Sequence, residues 1–264
     1  MAQRTARSLR YEYELYIEQE IENYKESIPR AAILAIGDEA AAKIAAEQQL
    51  ALTELLLVEE VDRIIFKRLR LPKYDTWRRK RLKIHDEMRR PEHWGMTADH
   101  VLVRTINSAT AERGAPGHVL VAGDAAERSA LFLAANGCDV TAVEAEEEAI
   151  QRVMQAALEA GLGERLHAFN AELTQFAQFS PEIPLQAVIC SHAALGSLSP
   201  RDRAEVIEVL KSATADGGVH LVETILAGAA ALDELRSSYS GWSVSVEVGS
   251  DERFFLARKQ GVSH

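Results

Sequence analysis

His118-Val119-Leu120-Val121-Ala122-Gly123-Asp124, then Arg128-Ser129-Ala130-Leu131-Phe132-Leu133-Ala134, then Gly137-Cys138-Asp139-Val140-Thr141-Ala142-Val143-Glu144: this stretch decides how the rest of the chain is read. Two short apolar runs, 118–122 and 139–143, flank a segment with helical character that ends near Asn136. Strand, helix and strand at that spacing make a parallel crossover unit. Moving outward, the same rhythm repeats. A helix from about Glu146 to Ala160 stops at Gly161, and strands follow at Leu166–Phe169 and Leu185–Cys190. A helix from Arg201 to Thr214 then leads through Gly217-Gly218 to a fifth strand, Val219–Glu223. Such alternation predicts a parallel sheet with helices on both faces. The end breaks the rhythm: Trp242–Val248 and Arg253–Lys259 are joined by a short turn and read as an antiparallel hairpin.

Upstream the pattern is helical throughout. Tyr13, Ile17, Ile21, Tyr24 and Ile28 recur every three or four residues among glutamates, so residues 11–28 form an amphipathic helix that Pro29 ends. Gly37-Asp38 opens a second helical stretch reaching about Leu69, with Asp38 as its expected N-cap. Its run Leu55-Leu56-Leu57-Val58 is apolar on every side, which predicts burial by several partners. Pro72 breaks that helix, a third covers roughly 74–89, and a short one covers 98–109. Ala115-Pro116-Gly117 marks the expected boundary between a helical domain, 1–114, and an α/β domain, 115–264.

Hydrophobic content of 47% with 27% charged residues describes an ordinary soluble globular protein. No run approaches a membrane span, and the basic N-terminus lacks the apolar core of a secretory signal, so a cytoplasmic protein is expected. Cys138 and Cys190 have no metal-ligand spacing, and their apolar surroundings favour two buried thiols over a disulfide. The net charge of −10 argues against general nucleic-acid binding, yet it is unevenly spread. Residues 11–60 hold 12 acids and 3 bases, whereas 67–90 hold 11 bases and 3 acids. Opposite patches of this kind meet one another or a second copy. The run Trp77-Arg78-Arg79-Lys80-Arg81-Leu82-Lys83 has the composition of a phosphate or RNA contact, but a solvated or acid-paired helix face is the favoured reading.

Five parallel strands with a terminal hairpin resemble the class I S-adenosylmethionine-dependent methyltransferases, and the small tellurite-resistance type most closely. The strings quoted above carry the resemblance, together with Ala215-Asp216-Gly217-Gly218-Val219-His220-Leu221-Val222-Glu223. It covers about 145 residues and implies a Rossmann-like fold, S-adenosylmethionine as cofactor and a small-molecule acceptor. In sheets of this kind the ligand sits at the carboxyl ends of the strands, where strand order reverses. The resemblance therefore implies contacts from Ala122, Gly123 and Asp124 after the first strand, with glycine letting the backbone approach the cofactor's amino-acid end. Glu144, at the end of the second strand, is the candidate for the ribose hydroxyls, with Ala145 beside it; the alternative is a solvated strand-end or helix-capping acid. Ala171 and Glu172 follow the third strand, where the family places an acid near the adenine amino group; a helix-capping acid is the alternative. Ser191 and His192 follow the fourth strand, and His192 has the chemistry of a general base, although a lone histidine is more often structural.

One motif departs from the family. Val121 stands where an acid is usual, and Ala125 and Glu127 replace two glycines of the loop. Alanine at 125 requires a negative φ. Glu127 must point away from a carboxylate-bearing ligand, as a first-turn helix acid would. Two functions follow: a methyltransferase whose helical segment caps the pocket or pairs two subunits as a homo-oligomer, or a scaffold that has kept the fold and lost the cofactor. No catalytic dyad is required for the first, because the cofactor brings its own reactive group.

Overall fold

The computed structural model describes residues 8–46, 53–113, 117–123, 126–177, 183–223, 229–248 and 253–261. The chain forms two compact units, Met1–Ile84 and His85–His264. The division precedes the boundary expected at 114/115, and the reason is a helix. Within α5 (Val101–Arg113), Val101, Leu102, Val103 and Ile106 are buried in the same cluster as Val119 and Val121. They are core residues of the α/β unit.

That unit is built on seven strands. They are β1 (His118–Ala122), β2 (Asp139–Glu144), β3 (Leu166–Asn170), β4 (Leu185–Cys190), β5 (Thr214–Glu223), β6 (Trp242–Val248) and β7 (Arg253–Lys259). Their order in the sheet is β3-β2-β1-β4-β5-β7-β6. β1 to β5 run parallel, while β7 is antiparallel to both β5 and β6. After His118, β1 is apolar because both its faces are covered. Val119 and Val121 pack with α5, α6 (Ala126–Ala135) and α7 (Glu147–Ala160). Leu120 and Ala122 pack on the other face with α8 (Leu173–Ala177), α9 (His192–Gly196), α10 (Pro200–Ala213) and α11 (Ala229–Ser238). α7 buries Ile150, Val153, Ala157 and Ala160 at helical spacing and stops at Gly161, whose φ of 70° suits a left-handed C-cap.

β5 differs from expectation, since it begins before the glycine pair. Leu185 pairs with Thr214, but Ala187 pairs with Val219, so residues 215–218 bulge from the ladder. A Cβ on Gly218 would lie 2.5 Å from Thr214 Cγ2 and 2.8 Å from the Ala215 carbonyl oxygen, which explains a glycine inside the bulge. Just beyond, His220 is fully buried between Thr214 Oγ1 (2.7 Å) and the Tyr239 hydroxyl (2.8 Å). Thr214 Oγ1 donates to the Leu210 carbonyl, so the imidazole Nε2–H donates to Thr214 and Nδ1 accepts from Tyr239. Burial of this neutral ring pushes its pKa down to about 3.

The N-terminal unit contains α1 (Leu9–Ser27), α2 (Arg30–Ala46) and α3 (Thr53–Leu69), and α4 (Tyr74–Met88) follows. Gly37 and Asp38 lie inside α2 and do not open a helix, because α2 already begins at Arg30 with the Pro29 carbonyl accepting from Ala32 and Ile33. Residues 47–52 of the expected long helix lie outside the described residues. Ile21, Ile36, Ala40, Ile64 and Ile65 form the core, with Leu57 against it. The expectation for the run at 55–58 is corrected here: Leu55 is 60% and Val58 55% exposed within the chain, since the neighbouring helices cover one face of α3 only. Trp77 packs on Tyr13 and Tyr16, and Arg81 reaches Glu12 at 3.5 Å, so the aromatic and one cation of the basic run serve the helix packing. Arg78, Arg79 and Lys80 are exposed. No helix among the described residues is long and apolar enough to cross a membrane.

Candidate functional site

An open cleft of about 260 Å³ lies at the carboxyl ends of β1, β2 and β3. The chain changes direction there because strand order reverses between β1 and β4, which leaves a gap above the sheet. Ala122 and Gly123 line it from β1, Glu144 and Ala145 from β2, and Ala171 and Glu172 from the turn after β3. Six of the residues singled out by sequence are thereby brought together. Asp124 and Ala125 lie outside the described residues, as does the side chain of His192.

Gly123 is the steric pivot. Its φ is 89°, a left-handed value that L side chains rarely adopt. A Cβ there would sit 2.1 Å from Ser191 Oγ and 2.9 Å from Ala194 Cβ. Its amide donates to the Val143 carbonyl at 3.0 Å, tying the end of β1 to β2. Ser191 is 1% exposed behind this glycine and does not line the cleft. Its amide donates to the Ala122 carbonyl (2.9 Å), and its hydroxyl caps α9 by accepting from the Ala194 amide (3.2 Å). Through that cap Ser191 sets the position of Ala193, Ala194 and Ser197, which form a wall of the cleft. Those three residues carry no signal in the sequence, since small residues in a short helix look like any other turn.

Glu144 is the electrostatic pivot. One carboxylate oxygen, Oε1, accepts from the Ala145 amide at 2.9 Å and the Glu146 amide at 3.3 Å. The other, Oε2, is buried and has no hydrogen-bond partner among the described residues. Such an oxygen is costly to leave unpaired, because a carboxylate has lost its water without gaining a donor. Asn170 fixes the loop that carries it, donating from Nδ2 to the carbonyls of Glu144 (3.3 Å) and Ala145 (2.8 Å). The Ala171 amide adds a third tie to the Glu144 carbonyl at 3.1 Å. Glu172 stands exposed on the rim, and its carbonyl accepts from Gln175 at the start of α8.

Glu127 faces away from the cleft. It lies 3.8 Å from Arg152 on α7, with both side chains half exposed. A second, much smaller void of about 10 Å³, room for one water, sits at the carboxyl ends of β4 and β5 between His100, Arg128, Cys190 and Glu223. His100 Nδ1 accepts from the Leu102 amide at 3.2 Å, and its ring meets Phe254 edge-on. Burial pushes the Cys190 thiol up to about 12 and the Cys138 thiol to about 11, so neither is a nucleophile near neutral pH.

A reversed strand order, a glycine pivot after β1, an acid ending β2 and an antiparallel last hairpin define a Rossmann-like domain of the class I methyltransferase type. The family described as tellurite resistance protein TehB matches residues 84–245, more than half of the chain, and the chain belongs to that family. No curated protein matches it. Among solved structures, TehB from Haemophilus influenzae is 18% identical with a TM-score of 0.49, over 64% of this chain and 65% of that one. The chain thus spans just under two thirds of that relative's length. The 1,6-didemethyltoxoflavin-N1-methyltransferase of Burkholderia thailandensis, solved with 1,6-didemethyltoxoflavin and S-adenosylhomocysteine, is 15% identical with a TM-score of 0.47, over 60% of this chain and 78% of that one. The N-methyltransferase NodS from Bradyrhizobium japonicum is 16% identical with a TM-score of 0.44, over 62% and 99%.

Proposed function

We propose that the protein is an S-adenosylmethionine-dependent methyltransferase acting on a small-molecule acceptor. The observation that carries this reading is Glu144 Oε2, a buried carboxylate oxygen with no donor among the described residues, on the wall of a cleft of about 260 Å³. The residues present fit the cofactor in two respects. A vicinal pair of ribose hydroxyls supplies the donors that Oε2 lacks among the described residues, and Gly123 presents bare backbone to the cleft, its left-handed φ and the packing of Ser191 and Ala194 leaving no room for a side chain. Glu144 would therefore hold the ribose, Glu172 on the rim would accept from the adenine amino group, and Gly123 would face the amino-acid end. When bound, the cofactor supplies a methyl group made electrophilic by its sulfonium. The protein's own work is to bind, to orient and to keep water away, which is why no acid–base pair is needed in the cleft. Asn170 and Ser191 hold the two loops in register for that purpose. Glu127, turned toward Arg152, adds no negative charge to the cleft.

The N-terminal helices are proposed to act as a covering element, which the exposed Leu55 and Val58 support. Calorimetric titration with S-adenosylmethionine and with S-adenosylhomocysteine tests the central reading. Saturable heat with both is the expected result. No heat and no thermal shift at millimolar cofactor would sink it and leave a scaffold that kept the fold alone.

A further inference from the structure

The seven-stranded sheet ends on β6, and among the described residues this edge strand has no bulge, lysine or proline. Natural edge strands are shortened, bulged, or studded with lysine and proline, because their open amides and carbonyls otherwise template another strand. β3, at the opposite edge, is five residues long and ends beside the cleft. β6 is seven residues, Trp242-Ser243-Val244-Ser245-Val246-Glu247-Val248. Each of the seven pairs with β7 in unbroken register, without a bulge. The strand has no lysine, arginine or proline, and its one charge, Glu247, is already engaged by Arg104 at 3.0 Å. Ser243 and Ser245 are exposed. Among the described residues the backbone of β6 makes one hydrogen bond outside its ladder, from the Trp242 amide to the Tyr239 carbonyl.

From this we infer that β6 is a docking strand for a second copy of the chain, pairing antiparallel with its own counterpart about a two-fold axis at Ser245. The occupant follows from the strand's self-complementarity. With Ser245 opposite Ser245 of the copy, Val244 meets Val246 on the half-buried face, and position 242 pairs with position 248 at the ends of the ladder. On the other face Ser243 meets Glu247, so the two glutamates are kept apart and no like charges stand opposite each other. The alternation is thus satisfied on both faces by the same strand reversed, which a closed two-fold contact requires. The two sheets join into one, and the edge disappears. This surface shares no residue with the cofactor cleft.

Sedimentation and cysteine cross-linking of the full chain test it. The wild type is expected to sediment at twice the monomer mass at micromolar concentration. Ser245→Lys, on the exposed face, brings two ammonium groups together at the axis and should return it to a monomer that still unfolds cooperatively, at a midpoint lowered only by the loss of the partner. Ser245→Cys should give a covalent dimer with diamide as oxidant, since Cys138 and Cys190 are buried. Ser243→Cys should not, because its counterparts lie roughly 13 Å apart in this register. A monomeric wild type overturns the inference. So does a dimer that survives Ser245→Lys and dissociates with Leu55→Asp instead, or cross-linking as efficient at 243 as at 245.

Discussion

The loops after β1 and after β2 border the same cleft, and they do so by opposite means. The first works by what it lacks. Gly123 sits at a positive φ with Ser191 and Ala194 packed where a side chain would be, so the constraint is steric and rests on one residue. The second works by what it holds in reserve. Glu144 spends one oxygen on the turn amides and keeps the other buried and unpaired. Glu127 stands in the first turn of α6 and pairs with Arg152 of α7, so a glycine at that position has no steric duty.

Gly123→Ala strikes that comparison hardest. Left-handed strain adds to a collision with a buried, capping serine, and together these should cost about 3 kcal/mol or more of stability and abolish cofactor binding. Urea unfolding and titration read the two effects, and a normal midpoint with normal affinity would show that the pivot is elsewhere. Glu144→Ala should act on affinity and leave the fold intact, weakening S-adenosylmethionine by about 1–3 kcal/mol, the scale of hydrogen bonds to a charged group. Unchanged affinity in the folded variant would remove the ribose assignment.

His220 separates cleft effects from those of the sheet beneath. Its pKa is depressed in the folded state, so the unfolded chain binds the proton more readily as pH falls from about 6.5 toward 3. Stability from this group is present above that window and is lost within it, at up to roughly 1.4 kcal/mol per pH unit. His220→Asn should flatten the acid limb of the midpoint-against-pH curve relative to wild type. Parallel curves would show that other groups account for the acid loss. Glu127→Gly is the mildest change. It removes a half-exposed ion pair worth about 0.2–1 kcal/mol and should move cofactor affinity by less than about twofold. A tenfold loss would mean that Glu127 contributes to the cleft after all.

Much of this is legible in the sequence. Gly123 and Glu144 stand at the ends of two apolar runs, and the period of those runs identifies the strands and hence the loops. Other parts of the site were silent. Asn170 matters because its amide reaches across to β2, and Ser191 because its hydroxyl lies under a glycine of another strand. Neither fact has a local pattern. The reading of Gly37-Asp38 as a helix start failed for a related reason: Pro29 had already opened α2, and a polar pair within a helix looks the same as a cap.

The sequence by itself determined the seven strands, most helices, the hairpin at the end and the identity of the two pivots, because backbone period and turn chemistry are properties of neighbouring residues. Only the tertiary structure decided that β7 and not β6 lies against β5, that α5 belongs to the sheet's core, and that residues 215–218 form a bulge within β5. It alone decided which oxygen of Glu144 has no donor among the described residues. These outcomes depend on register and burial between segments far apart in the chain, and a one-residue shift in pairing would turn every side chain of a strand to the other face.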